Sequence, residues 1–68
     1  MTKLQYWRIE KGMTREELGE KSGLSGTTVM RIERGDAAAE NVRIGTLANL
    51  AKALNVKLTD IIEDEFLV

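Results

Sequence analysis

The chain has 68 residues, with ten Lys and Arg against eleven Asp and Glu, no His and no Cys, giving a formal net charge of −1 and a pI near 5.4. That length predicts a single domain over residues 1–68, able to bury only about 60% of the surface its unfolded chain exposes. The absent residue types exclude disulfide frameworks, thiol nucleophiles, imidazole bases and the commonest metal ligands, so no metal and no cofactor is expected. The start has no signal-peptide pattern and no apolar run is long enough for a membrane span, which predicts a cytoplasmic protein.

The first helix is signalled by Thr2 as N-cap and by Leu4 and Trp7 on one face, with Tyr6 a further candidate for that face and Gly12 as the stop. Met13 is expected to point into the core. Thr14, followed three residues later by Glu17, forms a capping box that starts a second helix at Arg15 and carries it to about residue 22. Leu18 faces inward on it. Gly19 costs helix stability by about 1 kcal/mol relative to Ala, which is tolerable where the next helix crosses too closely for a larger side chain.

Gly23 supplies a left-handed stop and Ser25 a second N-cap. The third helix runs over about 26–34, with Val29 and Ile32 turned inward and Gly35 ending it. Two helices joined by a short glycine-containing turn, over about residues 15–34, make the helix-turn-helix pattern, which pushes its second helix into a DNA groove.

Residues 36–43 show no apolar periodicity until Val42 and read as a loop, in which Ala37–Ala39 have the composition of a helical turn. Ile44, Leu47, Leu50, Ala51 and Leu54 then give the clearest amphipathic spacing in the chain, ended by Asn55 in the role glycine often plays. A fifth helix near 58–64 carries Leu58, Ile61 and Ile62. The tail, 63–68, joins three acids to Phe66, Leu67 and Val68. It either folds back on helices one and five or forms a two-fold interface. The expected architecture is therefore an all-α, compact five-helix bundle.

Charge is unevenly spread. Asp60, Glu63, Asp64 and Glu65 crowd the last nine residues, and residues 1–59 hold ten bases against seven acids, a net of +3. A mildly basic body predicts modest non-specific affinity for DNA, since few phosphate contacts release few counterions.

The chain resembles the Cro and phage-repressor type of helix-turn-helix domain over about residues 3–63. The resemblance rests on Leu4, Trp7 and Arg8, MTREELG at 13–19, SGLS at 22–25, IERG at 32–35 and TLANLAKALNVKLTDII at 46–62, in order and at the right intervals. It implies a five-helix lambda repressor-like DNA-binding domain, major-groove binding by helix three, and often a symmetric dimer. It also implies that Arg8 and Glu33 pair across helices one and three. Three positions depart from the family. Arg15 stands where Gln commonly bonds a backbone phosphate, Gly26 offers no side chain at the first exposed position of the reading helix, and the loop after Gly35 is acidic and lacks Pro.

A helix entering the groove amino end first brings Thr27, Thr28 and Arg31 to base edges. The planar fork of Arg31 matches guanine O6 and N7 together, worth about 1–3 kcal/mol of discrimination. Thr27 offers a hydroxyl to a base or a methyl to thymine, and Thr28 a base contact, a phosphate contact or a bond to a nearby carbonyl. Arg15, at a helix amino end where a cation opposes the macrodipole, is a phosphate candidate with surface charge balanced by Glu16 as its alternative. Ser25, Gly26, Arg34, Asn41 and Arg43 complete the phosphate set. Trp7 is read as core, and Met30 lies between the base-facing and core-facing sides.

The function expected is a sequence-specific double-stranded DNA-binding transcriptional regulator, repressing by promoter occlusion. The alternative is an antitoxin-like or adaptor module that binds protein on the same scaffold. No enzyme and no small-molecule ligand is expected, because a site without His or Cys needs paired carboxylates in a pocket for which so small a domain has little room. Double-stranded DNA is the expected partner, with a homodimer and a protein partner such as a toxin left open.

Overall fold

The computed structural model describes residues 1–35 and 43–62. These form α1 (Lys3–Glu10), α2 (Arg15–Ser22), α3 (Gly26–Arg34), α4 (Ile44–Leu54) and α5 (Leu58–Ile61), with no strand among the described residues. Each early boundary has a local cause. The Thr2 hydroxyl accepts from the Gln5 amide at 3.3 Å and opens α1. At the head of α2 the box is reciprocal, Glu17 N–H donating to Thr14 Oγ1 at 3.0 Å and Thr14 N–H to Glu17 Oε1 at 3.1 Å. Gly23 closes α2 at φ +76° and Gly35 closes α3 at φ +68°, while Asn55 ends α4 at φ +58°, taking the left-handed role expected of it.

Packing follows the apolar spacing. Leu4, Leu18, Val29, Leu50, Ala51, Leu54 and Ile61 are buried together, one or more from every helix. α2 lies against α3 and α4, and α5 bridges α4 to α1. Trp7, Met13, Leu24, Ile32, Leu47 and Leu58 cover this cluster from its edges, so Trp7 and Met13 both serve the core.

Three expectations need correction. Ile44, assigned to the inner face of helix four, is the first residue of α4 and is 61% exposed. Tyr6 is also exposed, its ring set edge-on to Trp7 with centroids 5.2 Å apart. The described α5 is a four-residue helix over Leu58–Ile61, ended by Ile62 in extended conformation, shorter than the span expected for it. The loop readings at 36–42 and the tail at 63–68 lie outside the described residues.

The close approach expected at Gly19 is made by backbone. A Cβ there would sit 2.5 Å from the carbonyl oxygen of Leu24 and 3.1 Å from the Ser25 carbonyl carbon. The obstacle is the backbone of the turn into α3, folded onto α2 by the Leu24 N–H bond to Gly19 O at 2.7 Å. This close approach sets the angle at which α3 leaves. Backbone cannot swing aside as a side chain can. Gly19→Ala is therefore expected to lower stability by about 1–3 kcal/mol. Urea denaturation checks this, and a midpoint equal to that of the parent protein would show that the turn yields freely.

Candidate nucleic-acid interface

α3 divides its residues cleanly between core and surface. Val29 is fully buried, Ile32 half-buried and Glu33 buried, while Thr27, Arg31 and Arg34 are exposed along the opposite side. A helix repeats every 3.6 residues, so positions 27, 31 and 34 form one outward stripe. None of the chain's described packing covers that stripe. Met30 is half-buried on its flank.

The start of α3 is held by Ser25, whose Oγ accepts from the Thr28 amide at 3.1 Å and lies 2.9 Å from Thr28 Oγ1. Both hydroxyls therefore have partners within the chain. Gly26 lies under the side chain of Glu16, which brings a charge of the same sign as a phosphate to that position. Arg43 is exposed and N-caps α4 through its backbone, with Thr46 and Leu47 N–H donating to its carbonyl at 3.0 and 3.2 Å. Asn41 falls outside the described residues.

Behind the stripe lies a charge cluster. The Glu33 side chain is 1% exposed and accepts from Arg8 Nε at 2.5 Å, from Arg8 Nη2 at 3.4 Å and from Arg15 Nε at 3.1 Å. Arg8 also donates through Nη1 to Met13 O at 2.8 Å, which ties α1 to the segment leading into α2. One buried carboxylate thus fastens α3 to α1 and α2 together. The Arg8–Glu33 pair that the family resemblance implied is present in this geometry. The Arg15–Glu33 pair is not legible in the sequence, which offered only Glu16 as a neutralising neighbour. The signal available was a cation at a helix amino end, where it needs an anion; locating that anion 18 residues away requires the fold.

Two positive charges on one negative leave the cluster with an excess of one. Arg15 carries that excess outward, since its side chain is 34% exposed against 12% for Arg8. Among the described residues no group of three or more His, Cys, Asp or Glu is placed to hold a metal ion, and no helix is long and apolar enough to cross a membrane.

Five helices among the described residues, with a capped, glycine-cornered second and third helix and an outward stripe of hydroxyl and guanidinium groups, define a helix-turn-helix DNA-binding domain. The sequence matches the Cro/C1-type HTH DNA-binding domain over residues 3–66, nearly its whole length, and the chain belongs to that family. No curated protein and no solved structure matches the chain.

Removing the shared carboxylate strands two arginines, one of them mostly buried, so Glu33→Ala is expected to cost about 3–5 kcal/mol. Arg15→Ala removes a partner that water already reaches and is expected to cost under about 1 kcal/mol. Thermal denaturation of the two variants side by side tests this ordering. Equal losses would mean that the Arg15 pair alone carries the contribution of the cluster.

Proposed function

We propose that the chain is a sequence-specific double-stranded DNA-binding transcriptional regulator, acting as a repressor that occludes a promoter. The observation that supports this reading is the exposed stripe of Thr27, Arg31 and Arg34 on the helix that its family lays in the major groove. Arg31 is the principal reader, because its fork bonds guanine O6 and N7 at once, and Thr27 reads beside it. Thr28 has its hydroxyl 2.9 Å from Ser25 Oγ, which suits a local bond together with a contact at the groove edge. Arg15, Ser25, Arg34 and Arg43 contact phosphates, and Arg15 does so with the guanidinium edge that Glu33 leaves unused. A two-fold dimer would set two reading helices about 34 Å apart on a palindromic site. The mechanism is occupancy of DNA, with no bond made or broken.

Selection of bound duplexes from a random pool tests the reading, with the salt dependence of binding measured on the selected sequence. A consensus and a steep loss of affinity between low and moderate salt are expected. A flat salt response and no consensus would favour an adaptor that binds protein through the same scaffold.

Two variants separate the roles. Arg31→Ala is expected to weaken the selected duplex at least about tenfold more than random DNA, and equal losses would make Arg31 a phosphate contact only. Arg15→Ala is expected to weaken both alike and to reduce the salt slope by about one. A sequence-selective loss for Arg15→Ala would contradict its assignment to the backbone.

A further inference from the structure

Gly26 is the first residue of α3, and a Cβ built on it would lie 3.1 Å from Glu16 Oε1, 3.2 Å from Glu16 Cγ and 3.3 Å from Glu16 Cδ. The reading helix therefore lacks its own first side chain, and a carboxylate from the first turn of α2 lies close to where that side chain would stand. The amide end of α3 carries partial positive charge, which favours an anion there, while the neighbouring Arg15 directs its Nε to the buried Glu33.

We propose that Glu16 is a base-reading residue that recognises cytosine at the base pair facing the start of α3. The inference rests on the DNA-binding reading above. An ionised carboxylate only accepts hydrogen bonds. In the major groove guanine presents acceptors at N7 and O6 and thymine an acceptor at O4, all of which repel it. Adenine offers the N6 donor, but with the N7 acceptor beside it. Cytosine alone offers the N4 donor with no acceptor on its own edge. Gly26 makes the arrangement sterically open, since any larger residue at that position would press on the Glu16 side chain. Attraction to cytosine, repulsion of guanine and thymine and a weaker match to adenine would thus come from a single group supplied by α2, in place of the contact that α3 omits.

The test selects duplexes from a random pool with the parent protein, Glu16→Ala and Glu16→Gln, and then measures affinity for the consensus and for duplexes changed at one pair. Glu16 is exposed, so both variants are expected to keep the helical circular dichroism and melting behaviour of the parent. The parent is expected to select a cytosine whose replacement costs about tenfold or more. Glu16→Ala is expected to lose that preference while keeping the rest of the consensus, and Glu16→Gln to move it toward adenine, whose N6 and N7 match an amide. If Glu16→Ala keeps the whole consensus, the proposal is overturned while the DNA-binding reading stands, whether affinity rises on every duplex, as for mere repulsion of phosphate, or stays unchanged. If the parent selects no consensus, both readings fall together.

Discussion

The orientation of α3 depends on where one carboxylate is anchored. Glu33 sits in the third helix with almost no exposure and reaches Arg8 on α1 and Arg15 on α2. A buried charge is tolerated only when its partners are close and its lone pairs are used, and here two guanidinium groups meet that requirement. The anchor fixes the roll of α3 about its own axis. Arg31, two residues earlier, stands about 200° around the helix from Glu33, so holding one inside puts the other outside. Apolar packing of Val29 alone leaves more rotational freedom, because dispersion contacts are short-ranged but not directional.

A second constraint acts at the corner. The Leu24 carbonyl comes so near Gly19 that no β-carbon fits, and Ser25 begins the next helix immediately after. Roll is thus set by an ion cluster and tilt by a backbone contact. The interactions are chemically different and sit at opposite ends of α3, so together they determine its direction as neither does alone. The Ser22 hydroxyl, buried at the end of α2, donates to Leu18 O at 2.6 Å and so has its partner within the helix.

Local chemistry made much of this visible in the sequence. Caps and left-handed stops depend on residues at most four apart, so Thr14 with Glu17, Ser25, Gly23, Gly35 and Asn55 marked helix ends that the structure reproduces. Periodicity located Leu18, Val29, Leu50 and Leu54, but spacing alone does not say which turns are covered, and Ile44 continues the pattern although it is exposed. Side-chain partners were the least legible part. The partner of Arg15 is 18 residues away on another helix, and Glu16 meets Gly26 only because the corner folds α3 across α2. The candidate readers Thr27 and Arg31 were identifiable because a helical stripe needs only spacing, and their exposure agrees with it.

The acidic balance bears on what kind of binder such a scaffold makes. Non-specific attachment to DNA grows with the number of phosphates neutralised, and a body of net +3 over residues 1–59 supports few of them. Base contacts differ in kind, since each depends on donor and acceptor geometry at one pair and contributes little on the wrong sequence. On the proposed reading, weak backbone attraction lowers affinity for all duplexes, while Arg31 and Thr27 act on the selected one only. The ratio between the two is what a regulator needs among many competing sites. On the proposed reading the Glu16 carboxylate pushes in the same direction, because at the groove it would oppose phosphate everywhere and be compensated only where a donor meets it. The negative charge of the chain is then compatible with DNA recognition, provided that discrimination rather than raw affinity is the property the interface is built to supply.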